Sequence, residues 1–519
     1  MVPSIVRIFS LLIMVFLVGC ATTDKQVVRT HSLALEHPEL TSINKFLQAD
    51  LVKHPGKSGF VLLDSGERAF TSRNAMTQIA QKTIDVQYYI WADDITGAIL
   101  INQLIKAANR GVRVRLLIDD INSDGRDFGL AKLASIANFE VRLFNPFENR
   151  SFQAFEFIAD MSRLNHRMHN KSFIMDNTFA IIGGRNIGNK YFGVSPEINF
   201  RDLDVLAAGP IVNDISTSFD VFWNSKWAIP IQNISKKQPS PKDVRKGLEK
   251  LHKYIESHTE FPYTIHRTPE EIYQRMKASK DRLIWANAQI LYDDPEKKID
   301  TDTGYQGIIP HLRKWVDDTQ DEILIESAYY IAGPGGAKRA LELHNKGIKV
   351  RVLTNSMATN DVAAAYVFYA KYRKGLIENG VELHELKPQP NSQRKFWSLL
   401  ASKSSASLHT KVIVFDRQKT FIGSFNLDPR SVDINTEVGL LIDSPELAEQ
   451  VIAYMDVGAR PSDSYRLVLE KEDQDDDGKL VWISEQDGVE VREYSNPKSG
   501  FWRPISAWFI SLFPIEDQM

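Results

Sequence analysis

Short apolar runs alternate with stretches of helical spacing along most of the chain, and the alternation occurs twice. Residues 58–63, 84–91, 111–118 and 139–144 are runs of apolar and β-branched residues of strand length. Between them, helices are predicted over 72–82 and 96–109, where apolar residues recur every three or four positions. The series then restarts. Residues 322–331 match the stretch around Tyr88-Tyr89-Ile90, 347–354 match the 111–118 strand, and 380–384 match the 139–144 strand. Strand, helix, strand in order implies parallel pairing under helical cover. The expectation is an α/β fold of two similar lobes, with mostly parallel sheets flanked by helices, meeting at one pseudo-two-fold site.

Each series closes on the same pattern. The first copy is His169-Asn-Lys171, with Asp176 five positions after the lysine, then Gly183-Gly184-Arg-Asn186. The second is His409-Thr-Lys411, with Asp416, then Gly423-Ser424-Phe-Asn426. The histidines lie 240 residues apart, a whole-domain spacing rather than a solenoid period. Apolar β-formers flank both copies, so each is read as a buried strand. Residues i and i+2 of a strand share a face, which puts each histidine beside its lysine. Each aspartate, an odd number of positions on, faces away and is read as holding neighbouring backbone. The Gly-Gly and Gly-Ser pairs allow close approach of backbone or phosphate.

Two imidazoles, two ammoniums and two amides converging suit attack on a phosphodiester. A neutral histidine displaces an alcohol from phosphorus and carries the phosphoryl group covalently. A protonated one gives the leaving oxygen its proton, then takes one from the incoming alcohol or water. The lysines and asparagines stabilise charge on the phosphoryl oxygens, so neither a metal nor another cofactor is expected.

The doubled His-x-Lys-x4-Asp pattern resembles the signature of the phospholipase D superfamily. Gln87-Tyr-Tyr-Ile-Trp91, Arg113–Asp120, Asn145-Pro-Phe147, Arg167–Lys171 and Gly183–Gly188 are similar to the cardiolipin synthase branch, and in particular to its C-type family. The likeness spans nearly the whole folded chain, including Pro514-Ile-Glu516. It implies two phospholipase-D-like lobes and a phosphatidyl transferase. One phospholipid would yield phosphatidyl-histidine, which phosphatidylglycerol attacks to give cardiolipin. Water as acceptor would make the same residues a phospholipase D, and a periplasmic nuclease or a non-catalytic membrane scaffold are further alternatives. The family also implies that Asp202 and Glu437, each following a motif, orient the catalytic histidines. Asp204 is a rival to Asp202, and solvated loop acids are the plainer reading of both. By family analogy His169 is the nucleophile and His409 the acid/base.

Charge and termini narrow the setting. The 519 residues carry a net charge of −3, which argues against nucleic acid as partner. The single cysteine, Cys20, excludes an intrachain disulfide. Arg7, the apolar run 8–18 and Gly19-Cys20-Ala21 resemble a bacterial lipoprotein signal, cleaved before Cys20 with lipid on its thiol and amine. An uncleaved anchor is the other reading. Both put the catalytic part outside the cytoplasm on a membrane surface. The residue after Cys20 is not Asp, which favours the outer over the inner membrane, although lipid synthesis belongs at the inner. Phospholipids are the expected substrates, and no helper protein is legible.

The domain reading is a signal peptide over 1–19, a tether and helix over 20–57, the first lobe over 58–234, a linker and surface helix over 235–275, the second lobe over 276–460, and a C-terminal hairpin and tail over 461–519. The basic run from Lys236 to Lys246 is either a solvated face or a contact with anionic lipid. The aromatic-rich segments 394–400 and 501–513 suit a bilayer interface or packing on the protein itself. Residues 291–297 resemble a family segment for which the sequence offers no physical role. Gly333-Pro-Gly-Gly336 is read as a turn into a helix rather than an anion site. Asp473 to Gly478 has the beginning of a calcium loop, but position twelve is Ser484, so a β-hairpin turn is expected.

Overall fold

Strand pairing begins in each lobe with three parallel strands joined by helical crossovers. In this computed structural model, which describes residues 27–151, 153–297, 307–392, 404–471 and 478–500, the first set is β2 (Thr83–Tyr88), β3 (Arg113–Asp119) and β4 (Phe139–Phe144). Helix Ile95–Asn109 makes the first crossover, capped by the Asp94 side chain on Gly97 N–H. β1 (Ser58–Leu63) lies farther along the sheet. Residues 27–31 carry no regular secondary structure and belong to a unit separate from Ser32 onward.

After β4 the chain reaches the first motif and turns tightly. β5 (Ser172–Met175) and β6 (Phe179–Gly183) are a hairpin closed by Thr178 N–H to Met175 O, with Asp176 and Asn177 both at positive φ. That is the backbone sign of a type I′ turn, which matches the twist of the flanking strands. Such a turn forces antiparallel pairing. β5 joins β2, and β6 joins β8 (Asp204–Ala208), which joins β1, all antiparallel. β9 (Ala228–Pro230) closes the far edge on β4. β7 (Ile198–Arg201) stands outside this sheet.

The second lobe repeats the order. β11 (Glu322–Ser327), β12 (Lys349–Asn355) and β13 (Val381–Leu386) are parallel. β15 (Lys411–Phe415) and β16 (Lys419–Gly423) form the hairpin, with Asp416 and Arg417 at positive φ. β17 (Val438–Asp443) and β10 (Ile284–Tyr292) follow, antiparallel. β18 (Ser464–Glu470), β19 (Lys479–Gln486) and β20 (Val489–Glu493) extend the far edge. β18 and β19 pair antiparallel, as the hairpin reading expects. Parallel pairing within each lobe's sheet is thus confined to three strands. The sheets are mixed, not mostly parallel.

Two strand contacts weld the lobes. β10 pairs with β1 through Ile284–Ala286 and with β17 through Asn287–Tyr292, so one sheet runs through both lobes. β14 (Ser405–Leu408) pairs in parallel with β7. A single apolar cluster fills the space between, with Ile174, Val205 and Phe219 from the first lobe and Val412, Val438 and Leu447 from the second. The helix expected over 72–82 lies at Gly66–Ile79, because the Ser65 side chain caps it earlier on Arg68 N–H. The leader with Cys20, the 394–400 segment, residues 473–477 and the 501–513 tail lie outside the described residues. No helix among the described residues is long and apolar enough to cross a membrane.

Candidate active site

The motif histidines sit before their strands rather than within them, His169 three residues ahead of β5 and His409 two ahead of β15. His169 and His409 precede β5 and β15, in segments clamped by the opposite lobe. His169 N–H donates to Thr436 O at 2.9 Å, and Thr436 N–H to Arg167 O at 2.9 Å. His409 N–H donates to Arg201 O at 2.8 Å. The strand reading is corrected to that extent: the other lobe's backbone holds the histidine.

The side chains cross in the same way. His169 Nδ1 lies 2.9 Å from Glu437 Oε2, and His409 Nδ1 lies 2.6 Å from Asp202 Oδ2. Both acids are fully buried, so neither is a solvated loop acid. Each accepts from Nδ1–H, which orients the ring and leaves Nε2 for the reaction, as a lone pair on a neutral ring or as N–H on an imidazolium. Lys171 Nζ donates to His169 O at 2.6 Å and Lys411 Nζ to His409 O at 2.5 Å. The lysines therefore lie beside their histidines, as the i, i+2 spacing predicts. Asp204 instead takes Arg73 at 2.9 Å and Arg185 at 3.5 Å, so it is not the histidine's partner.

The small residues make room for the acids. A Cβ on Gly184 would meet Asp202 Oδ1 at 2.2 Å. In the second lobe the position is Ser424, and its Oγ donates to Glu437. Ser431 Oγ donates to the other Glu437 oxygen at 2.9 Å. Glu437 is also held at its backbone: its N–H donates to Asp293 Oδ2, and Asp293 N–H to Glu437 O, both at 3.0 Å. Lys297 pairs with the same Asp293 carboxylate. This gives segment 291–297 the physical role that the sequence did not reveal.

The two asparagines differ. Asn186 is held at both ends: Oδ1 accepts from Ile90 N–H and Nδ2 donates to Tyr191 Oη, both at 3.1 Å. The Asn426 carbonyl oxygen is buried and meets no donor among the described residues. Asp176 and Asp416 point away from the site. Asp176 accepts from the N–H groups of Gln81, Lys82 and Thr83, and Asp416 from those of Gln320, Asp321 and Glu322.

Burial sets the electrostatics. Desolvation, then the ammoniums of Lys171 and Lys411, then Arg430, hold His169 well below the usual imidazole range. Desolvation, Lys411 and Lys171 do the same to His409, with smaller contributions from His169 and Lys190. Burial also lowers both lysines. It raises Asp202, and it pushes Glu437 up to about 7 against the pull of Lys171. Tyr89 packs edge-on to His169, with Tyr191 and Phe200 against His409. Sequence reasoning missed Lys190 and Arg430. They sit four residues after Asn186 and Asn426 respectively, a repeated cation that the motif alignment could have exposed.

Comparison with known proteins covers both lobes. The family described as cardiolipin synthase, PLD-like domain, matches residues 75–223 and 312–457, one match per lobe. Cardiolipin synthase C of Escherichia coli K12 is 37% identical over 472 residues, covering 89% of this chain and 97% of its own. An uncharacterized protein of Helicobacter pylori is 33% identical over 474 residues, covering 91% and 92%. The crystal structure of a Haemophilus influenzae phosphatidylserine synthase superposes with a TM-score of 0.53 over 80% of this chain and 90% of that one, at 14% identity, a likeness of fold. The chain belongs to the cardiolipin synthase branch of the phospholipase D superfamily, a family of phosphatidyltransferases.

Proposed function

We propose that the protein makes cardiolipin from phosphatidylglycerol and a second phospholipid through a phosphatidyl-histidine. The supporting observation is the crossed pairing of each motif histidine with the other lobe's acid. It supplies two imidazoles of fixed orientation in one cationic, largely buried site. His169 Nε2 attacks the donor phosphorus. The bond to the headgroup oxygen breaks, and that oxygen takes a proton from His409 Nε2–H. A hydroxyl of phosphatidylglycerol then gives its proton to His409 and attacks the same phosphorus. The P–N bond breaks and His169 is regenerated. Lys171, Lys411, Asn186 and Asn426 offset the charge on the phosphoryl oxygens. The orienting acids Asp202 and Glu437 stabilise imidazolium when it forms. Asp176 and Asp416 serve the fold rather than the reaction.

Mixed micelles of labelled phosphatidylglycerol and phosphatidylethanolamine test the reading. Cardiolipin with free glycerol or ethanolamine is expected, and none from His169→Ala/His409→Ala. Phosphatidic acid alone would establish a hydrolase instead. Rapid quenching should trap phosphohistidine at residue 169; trapping at 409 reverses the roles. The Cys20 pattern supports a lipid anchor facing the periplasm, with the outer membrane slightly favoured. Labelled fatty acid should enter the wild type and not Cys20→Ser.

A further inference from the structure

Asn186 and Asn426 stand at matching places in the two lobes. Each is followed by a residue bridged to the segment after a central strand, Ile187 to Trp91 and Leu427 to Tyr330. In the first lobe the match is tight. Ile187 N–H donates to Ile90 O at 3.1 Å, and Ile90 N–H reaches the Asn186 carbonyl. In the second lobe a hydroxyl intervenes: Ser327 Oγ donates to Tyr329 O at 2.8 Å and accepts from Leu427 N–H at 3.4 Å. The other hold is lost as well. Five residues after Asn186 stands Tyr191, whose Oη takes the amide N–H; five after Asn426 stands Ser431, whose hydroxyl is turned to Glu437.

The Asn426 carbonyl oxygen is therefore left without a donor among the described residues, in a residue only 4% exposed. Buried acceptors are satisfied as a rule, so one that the protein leaves open is completed by what binds there. It lies beside the chemistry. Asn426 N–H donates to Ser431 Oγ at 3.3 Å, and Ser431 Oγ donates to the Glu437 carboxylate that holds His169. The site is compact enough for the ammoniums of Lys171 and Lys411 to bear on both histidines. A carboxamide offers two N–H donors and one acceptor oxygen. The donors suit a phosphoryl oxygen, whereas the carbonyl oxygen calls for a hydrogen-bond donor. An ionised phosphodiester and acyl esters have none, so within a phospholipid the headgroup supplies it.

We infer that Asn426 reads the headgroup: its carbonyl oxygen receives the O–H or N–H carried on the second carbon from the reacting oxygen. Glycerol has a hydroxyl there and ethanolamine an ammonium. One carbonyl thus serves both as leaving groups, and serves glycerol again as the incoming alcohol. Choline puts a quaternary nitrogen at that place, with no N–H to give, so phosphatidylcholine is disfavoured. The inference rests on the phosphatidyl-transfer reading and adds which headgroups the site takes. A site shaped to hydrogen-bond a substrate group rejects the analogue that lacks it, because its own buried group is then left unpaired.

The full chain is assayed in mixed micelles with phosphatidylglycerol present, and headgroup release is followed from phosphatidylethanolamine, its N,N-dimethyl derivative and phosphatidylcholine. The dimethyl headgroup keeps one N–H at nearly the bulk of choline, so this pair separates the hydrogen bond from size. In the wild type, kcat/KM for the dimethyl lipid should stay near that for phosphatidylethanolamine and exceed that for phosphatidylcholine by about tenfold or more, the effect of one hydrogen bond to a charged group. Equal values for the dimethyl and choline lipids overturn the inference. Asn426→Ala should be slower on all three and lose the preference, whereas Asn186→Ala should be slower and keep it. A preference retained in Asn426→Ala overturns the assignment. Asn426→Asp, which keeps the acceptor and adds charge, should raise the ratio of phosphatidylethanolamine to phosphatidylglycerol cleavage about tenfold; an unchanged ratio counts against it equally. The product is read separately. Discrimination with phosphatidic acid as product would sink the transferase reading and keep the headgroup site; cardiolipin formed without discrimination would do the reverse.

Discussion

At the scale of single residues, the His169–Glu437 pair sets the pH response. Above about pH 7 the pair holds one proton, on Nδ1, and Nε2 is free to attack. Burial pushes Glu437 up to about 7, so below that pH the pair gains a second proton and Nε2 is covered. kcat/KM should therefore fall as pH drops through about 7. Glu437→Gln removes the titrating carboxyl and leaves an imidazole that burial and two ammoniums hold low. Its acid limb should move to lower pH, with activity down about 10²-fold. Ser424→Ala removes a donor to the ionised carboxylate, so its limb should move the other way, to higher pH. pH–rate profiles from about pH 5 to about pH 9 separate the two, and limbs that shift in the same direction would refute the assignment. Gly184→Ala acts on the other pair. The added Cβ displaces the Asp202 carboxylate, and activity should fall about 10–100-fold while the thermal midpoint moves little.

At the scale of elements, the motif aspartates belong to the hairpins. Asp176 is fully buried and caps the three N–H groups that lead into β2; Asp416 does the same for β11 but is partly exposed. Asp176→Ala should cost about 3 kcal/mol in denaturant unfolding, since it strands buried donors, and Asp416→Ala should cost less. Both should keep near-normal activity per folded molecule, which a role in the reaction would forbid. The strand parity of seven residues between His169 and Asp176 made this legible in the sequence, as did the i, i+2 placing of the lysines. The repeated apolar runs likewise revealed both lobes, because buried central strands are continuous in hydropathy. The antiparallel half of each sheet was hidden, since the turn signal is only Asp176-Asn177 and Asp416-Arg417, with no glycine. Also hidden was the crossing of acids and histidines. Sequence spacing places Asp202 after the first motif, and only the β7–β14 pairing carries it to His409.

At the scale of the whole molecule, the site exists only while the lobes stay in register, and one buried ion pair spans them next to the chemistry. Arg201 ends β7 and immediately precedes Asp202. Its guanidinium meets Glu326 of β11 at 2.8 and 3.3 Å, donates to Tyr454 O, and lies 3.7 Å over the Tyr454 ring. Its carbonyl receives His409 N–H. Removing one member of such a pair leaves a charge buried alone, at a cost of about 3–5 kcal/mol, whereas replacing both by apolar groups is often neutral or better. Arg201→Met should therefore destabilise strongly, and Arg201→Met/Glu326→Leu should recover most of that loss. Activity should behave differently. If the pair fixes the register that brings Asp202 to His409, the stable double variant still works slowly, because methionine cannot make the two-pronged contact that holds β7 in place. Thermal unfolding and kcat measured on all four proteins decide it. Recovery of stability without recovery of kcat assigns the pair to alignment of the lobes, and joint recovery reduces it to a filler of the interface.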